Sequence, residues 1–259
     1  MSDDAEKSEI TVREYKIYPL TEAIIIAVTM FAAILSTTYF IYHHAISAQK
    51  GEIREGLVRT AAVLTAFIDG DMHKTFTTRS QEKSDAYKSA LLPFEKTLAA
   101  DPSIRFVYTA VLIDGKVHFI LDPTPEGDGD GDGVDDKAHI MDEYPEASSE
   151  IIEALKGRKI VTSSEPYKDR WGSFVSGYVP IHDSKGNFVG VLGIDIDSTN
   201  YFERLAPIKR ATIRAMVTGF FIAFLVGAIV WFTRNFSLVI TSNRKHLFNE
   251  YMQLKRLPK

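Results

Sequence analysis

Two stretches of this chain carry no Asp, Glu, Lys or Arg at all: residues 23–49 and 215–233. A helix rises 1.5 Å per residue, so about twenty such residues span the ~30 Å hydrocarbon core of a bilayer. Nine of the twenty residues 23–42 are Ile, Val, Leu or Phe, each worth roughly −0.3 to −0.6 kcal/mol at the centre of an inserted helix. Tyr39, Tyr42, Trp231 and Phe232 fall where an aromatic belt would lie. A buried core helix would need only ~10–14 apolar residues. The expectation is two transmembrane helices, over 23–42 and 211–233. The first exceeds the ~7–15-residue apolar run of a signal peptide and follows acidic residues (Asp3, Asp4, Glu6, Glu9, Glu14), so it reads as a retained anchor.

Lysine and arginine near the spans set orientation. Lys7, Arg13 and Lys16 precede the first, and Arg234, Arg244, Lys245, Lys255, Arg256 and Lys259 follow the second. Tails 1–22 and 234–259 are therefore expected in the cytoplasm and residues 43–210 outside it, although Lys209, Arg210 and Arg214 weigh the other way. In each span two small residues stand four apart, Ala32 with Ser36 and Ala223 with Gly227, a spacing that permits close helix approach.

The chain has 259 residues, a net charge of −4 and no cysteine. Disulfides, thiolate metal sites and cysteine nucleophiles are thereby excluded, and a nucleic-acid partner is disfavoured for want of a basic face. No His-Glu-x-x-His, Gly-x-Ser-x-Gly or Gly-Lys-Ser/Thr motif occurs, so the chain reads as a binder and not an enzyme.

Between the spans, Ile46, Ile53, Leu57, Ala61, Leu64 and Ile68 share one helical face, which suits packing on its own domain or a homodimer seam. A helix is expected over 84–100 and another over 148–156. The period then becomes two: strands are expected at 104–112 and 116–121 around the Asp114-Gly115 turn, and at 159–164, 173–182 and 187–195. Ser198 is expected to cap the last helix. This order predicts an α+β domain, a five-stranded antiparallel sheet with helices on one side.

Tyr108-Thr109, Asp114-Gly115, the run Glu165 to Gly172, Ser176-Gly177-Tyr178-Val179-Pro180-Ile181 and Gly190-Val191-Leu192-Gly193-Ile194-Asp195 resemble the Cache domain. This PAS-like extracytoplasmic sensor module occurs in bacterial chemoreceptors, histidine kinases and diguanylate cyclases. The resemblance implies a signal-transduction sensor in the bacterial inner membrane, its main domain periplasmic, that binds a small-molecule ligand and relays the event through its helices. It also implies an output partner or an output domain not present here. Asp195 matches the aspartate that takes a ligand's amino group in the amino-acid branch. Tyr108, Arg170, Trp171, Ser176 and Tyr178 are the other candidate contacts, though the spacing of Tyr167, Arg170, Trp171 and Tyr178 departs from that branch. The alternative is a membrane-anchored assembly subunit whose domain binds a protein partner, with calcium as a clasp.

Residues 114–143 hold ten carboxylates and two lysines, a local charge of −8. Asp128, Asp130, Asp132, the Val134 carbonyl and Asp136 have the spacing of oxygen ligands in a Ca²⁺ loop. The twelfth position is His139 where an EF-hand has glutamate, and a solvated acidic loop is the other reading.

Overall fold

The computed structural model describes residues 18–255 apart from 130, 132 and 134. The chain divides into one unit of residues 43–209 and another made of the segments up to 42 and from 210 onward. Helix α1 (Pro19–Thr65) contributes to both, as does the last helix, α5 (Ser198–Leu254).

Within the 43–209 unit the later part of α1 is followed by the short α2 (Gly70–His73), a 3₁₀ turn over Arg79–Lys83, and α3 (Asp85–Ala100). The Ser84 side chain accepts the Tyr87 N–H and so caps α3. Strands β1 (Ile104–Ile113) and β2 (Lys116–Phe119) form a hairpin. Its turn holds Asp114 at φ 50° and Gly115 at φ 80°, the two positive angles that a tight two-residue hairpin demands and that an Asp-Gly pair supplies at low steric cost. Then come α4 (Ser149–Gly157), β3 (Val161–Thr162), β4 (Tyr167–Asp169), β5 (Gly172–His182) and β6 (Phe188–Asp197). The sheet order is β2-β1-β6-β5-β3, antiparallel throughout, and β4 lies beyond β3 along the same edge of β5.

The α+β class and the antiparallel sheet match the sequence expectation, with three differences. The run 159–164 shrinks to the two residues of β3, and part of the Glu165–Gly172 segment becomes β4. Helices also cover both faces of the sheet. Ile53, Leu57, Ala61 and Leu64 of α1 pack with Val107, Val175, Leu192 and Ile194. Side chains alternate along a strand, so Phe106, Tyr108, Phe174 and Tyr178 face the other way, onto Ile151, Ala154 and Leu155 of α4. The apolar stripe of α1 is therefore consumed by its own sheet. The outer edge of β2 is covered by residues 141–144, through Met141 N–H to the Phe119 carbonyl at 2.8 Å and Tyr144 N–H to the Val117 carbonyl at 2.8 Å. α1 is also tied to the loop before β4: Lys50 Nζ lies 2.5 Å from Glu165 Oε1, and the Arg54 guanidinium donates to the Ser164 carbonyl. At the start of α5, Asp197 Oδ1 accepts the Thr199 N–H at 2.6 Å. The capping oxygen thus comes from Asp197, one residue before the expected Ser198.

In the other unit, α1 and α5 present two segments long and apolar enough to cross a membrane. Their contact uses Ala23, Ala27, Phe31 and Ile34 against Gly219, Phe220, Ala223 and Gly227. A Cβ at Gly227 would stand 2.9 Å from the Ala27 Cβ, so glycine sets the approach. Ala223 is buried, whereas Ala32 and Ser36 are exposed and do not form the expected small-residue seam. Arg234 Nε pairs with Glu22 Oε2 at 2.8 Å. The chain has no cysteine, so the contact can be read cleanly: the double variant Ala27→Cys/Gly227→Cys is expected to cross-link on mild oxidation, because a helix shift of about 1 Å takes the 2.9 Å Cβ separation into the disulfide range of ~3.5–4.5 Å. A control pair at Ala32 and Gly227 should stay reduced, and equal yields from both would refute the packing.

Candidate ligand-binding site

The register of the three central strands builds the site. Phe106, Asp195 and Ser176 lie side by side across β1, β6 and β5, and Tyr108, Gly193 and Tyr178 form the next row. All six share the face toward α4. Gly193 is what lets Tyr108 lie across the sheet, since a Cβ there would stand 2.8 Å from the ring's Cζ and 3.1 Å from its hydroxyl. The loop after β2 and the β4–β5 hairpin close over this face and leave a small cavity of about 20 Å³, room for roughly one water.

Six aromatic side chains line it (Phe106, Tyr108, Phe119, Tyr144, Trp171, Phe174), with Asp122, Asp136, Asp169, Asp195 and Ala138. Among the described residues, no Lys, Arg or His lines it. Tyr108 and Trp171 meet Phe119 edge to face, with centroids 5.2 and 5.6 Å away, and Tyr144 lies tilted against it at 4.9 Å.

The carboxylates differ in how they are satisfied. Asp122 accepts the Thr124 and Ala138 N–H groups at 2.8 and 2.7 Å. Asp169 accepts the Trp171 N–H at 2.9 Å and the Tyr144 hydroxyl. Asp136 accepts the Gly129 N–H at 3.0 Å and pairs with Arg105 at 3.4 Å. Asp195 is 3% exposed, and its Oδ1 has no hydrogen-bond partner among the described residues; neither has the Tyr108 hydroxyl. Burial pushes the Asp195 carboxyl up to about 8. The nearby hydroxyls of Ser176 and Tyr108 oppose the shift, while the charges of Asp169 and Asp122 add to it. Burial likewise raises Asp122 and Asp169.

Of the residues singled out from sequence, Tyr108, Trp171 and Asp195 line the cavity. Ser176 and Tyr178 stand behind it: Ser176 Oγ donates to the Tyr167 hydroxyl at 3.1 Å, and the Tyr167 and Tyr178 hydroxyls are 3.3 Å apart. Arg170 turns outward. Its guanidinium donates to Glu146 Oε2 from Nε at 3.0 Å and from Nη2 at 2.6 Å, and it stacks over the Trp171 ring at 5.0 Å. Phe106, Phe119, Asp122, Tyr144, Asp169 and Phe174 were not singled out from the sequence. Phe106 and Phe174 could have been, being two residues from Tyr108 and Ser176; the others sit on β2 or in segments without periodicity.

In the acidic loop, Asp130, Asp132 and Val134 lie outside the described residues. Asp128 accepts the Gly131 and Gly133 N–H groups at 2.7 and 2.8 Å, so the loop curls around this carboxylate and that of Asp136. His139 turns away from it: its Nδ1 meets Glu82 Oε2 at 2.9 Å and its Nε2 meets Arg79 at 2.5 Å. Glu126 joins Glu82 and His139, with ligand-type atoms within 4.8 Å of one another.

No family model matches the chain, and no curated protein matches it. Solved structures similar to it are sensory or ligand-binding domains. The ligand-binding domain of the Campylobacter jejuni chemoreceptor Tlp3, in complex with L-valine, has a TM-score of 0.43 at 15% identity, over 70% of this chain and 67% of that one. The Escherichia coli DcuS sensor domain has a TM-score of 0.39 at 15% identity, over 59% and 97%. The ligand-binding domain of the Pseudomonas aeruginosa amino acid chemoreceptor PctC, in complex with GABA, has 0.38 at 14%, over 67% of each. The match thus spans about two thirds of the length of the two chemoreceptor domains.

An unfolded aspartate titrates near 3.9, whereas folded Asp195 keeps its proton to about 8. Between these values the unfolded chain binds fewer protons than the native one, so this residue costs stability progressively as pH rises through the window. Asp195→Asn removes that cost. Its melting temperature is expected to exceed the wild type's by a margin that grows from pH 5 to pH 8 and vanishes near pH 4. A constant margin across that range would show Asp195 to be ionised throughout.

Proposed function

We propose that the chain is a membrane-bound sensor that holds a small ligand in the cavity between its sheet and the hairpin carrying Trp171. Residues 43–210 stand outside the membrane in this reading, 23–42 and 211–233 cross it, and both tails lie in the cytoplasm. One observation carries the proposal: Asp195 Oδ1 and the Tyr108 hydroxyl are buried beside a cavity with no partner among the described residues. Leaving such groups unsatisfied is costly in a folded protein, and a ligand that supplies the missing hydrogen bonds recovers that cost. The cavity is smaller than a metabolite, so binding requires the hairpin or the loop after β2 to move. A ligand that prefers the displaced arrangement shifts the population toward it.

Relay through α1 and α5, a second copy of the chain and a cytoplasmic output partner belong to the same proposal. No catalytic role is assigned to the cavity, whose polar groups include no activated nucleophile. Calcium on the acidic loop is a subordinate part of it. The alternate carboxylates of Asp128, Asp130, Asp132 and Asp136 in the sequence are hard oxygen ligands of the kind such a cation takes, and ordering this loop would stiffen the wall that Asp122, Asp136 and Ala138 contribute.

The test is melting of the full chain in detergent against amino acids, carboxylates, amines and sugars. A ligand at one hundred times its dissociation constant adds about 2.7 kcal/mol, a shift of several degrees. A hit abolished by Trp171→Ala or Asp195→Ala supports the sensor; hits that ignore both substitutions place the site elsewhere. In the same assay millimolar Ca²⁺ is expected to raise the melting temperature of the wild type and not of Asp128→Ala. No response in the wild type removes calcium from the account.

A further inference from the structure

We infer that the ligand is a small primary or secondary organic ammonium without a carboxylate, and that it enters by displacing a proton from Asp195. This rests on the cavity being the ligand site, and deepens that reading by naming the chemistry the site accepts.

The argument is an inventory of charge. Asp122 and Asp169 each use both oxygens on internal N–H or O–H donors, and Asp136 faces Arg105 at the rim. Asp195 alone keeps a buried oxygen unpartnered among the described residues. A buried carboxylate is stable when it is paired with a cation that can also donate hydrogen bonds, or when it is protonated. The lining offers no cation, so the partner must come from outside or the group must hold its own proton.

The rings sharpen the choice. Phe106, Tyr108, Phe119, Tyr144, Trp171 and Phe174 surround the space, and aromatic faces attract cations and not anions. A carboxylate on the ligand would meet four aspartates in the lining, and Arg105 at the rim is already paired with one of them, Asp136. The one guanidinium on the neighbouring turn, Arg170, already gives two N–H groups to Glu146 Oε2 and lies over the Trp171 ring. Anionic and zwitterionic ligands are therefore disfavoured by the same groups that favour an ammonium. A quaternary ammonium has no N–H for Asp195 Oδ1 and a tertiary one spends its single N–H there, whereas a primary or secondary ammonium keeps a further N–H for the Tyr108 hydroxyl oxygen, the second unpartnered atom.

The proton exchange follows from what faces Asp195. From β4 come Asp169 and Tyr167, from the loop after β2 Asp122, from the segment before α4 Tyr144, from β1 Tyr108, and from β5 Tyr178 and Ser176. None of these carries positive charge, and burial holds the group neutral up to about pH 8. The bound ammonium requires the carboxylate, so one proton leaves as one ligand enters.

The experiment titrates the full chain in nanodiscs with n-butylammonium, butyrate and 4-aminobutyrate by calorimetry, at pH 6, 7 and 8 and in two buffers of different ionisation enthalpy. Butylammonium alone is expected to bind, with affinity rising about tenfold per pH unit from 6 to 7 and levelling toward 8, and with one proton released per ligand at pH 6. Asp195→Asn, which keeps the shape of the protonated acid, is expected to fold and to lose binding. Binding of butyrate or 4-aminobutyrate in preference, or butylammonium binding without proton release, overturns the inference. If all three are silent while another compound of the wider melting panel binds in a Trp171-dependent way, the ammonium is refuted and the ligand site stands. Silence across that whole panel refutes both.

Discussion

An aspartate buried among aromatic rings with no cation in the cavity lining is the constraint to which the α4-facing side of this sheet is built. Each strand position around Asp195 serves that burial. Ser176 and Phe106 flank it in register, Gly193 makes room for the Tyr108 ring, and the rings of Phe119, Tyr144 and Trp171 wall the space beyond. Such a group stays in a fold when something compensates it, and desolvation of a lone carboxylate is otherwise expensive. The other face of the sheet is ordinary in comparison, an aliphatic layer under α1 and α3 that provides the rigidity against which the polar face is held.

The two faces differ in how firmly they are closed. Hydrophobic burial over the α1 face fixes the sheet. On the cavity face the enclosing elements are a loop and a three-residue strand, β4, with few backbone hydrogen bonds to lose. Elements of this kind open at low free energy, which suits a site whose free volume is too small for a metabolite until something moves. Trp171 is held at the boundary by its indole N–H, which donates to the Asp135 carbonyl at 2.9 Å, so the acidic loop and the hairpin are tied by a polar contact.

Much of this was legible in the residues. Period two puts Ser176 and Tyr178 on one face of their strand, and the Asp114-Gly115 turn marks the first hairpin. Ser84 and Ser148 marked helix starts that the fold uses. The α1 stripe was legible as a stripe, but whether it packs on its own sheet or on a second chain depends on residues more than a hundred positions away, such as Val175 and Leu192. The same limit explains Arg170, whose partner Glu146 is brought near by the path of α4 and not by any local pattern. Asp122, Tyr144 and Asp169 belong to segments without regular period, so only the folded chain reveals that they surround one space.

The attachment of α1 to the loop ahead of β4 carries a mechanical consequence. With the Ser164 carbonyl held by Arg54 and Glu165 held by Lys50, the β4–β5 hairpin is not a free flap but a short arm with a pivot. The Trp171 turn is its tip, and the pivot is seated on the helix that bears the first long apolar segment. A displacement of the tip is therefore borne first by the Lys50 and Arg54 contacts on α1, with no need for the sheet itself to deform.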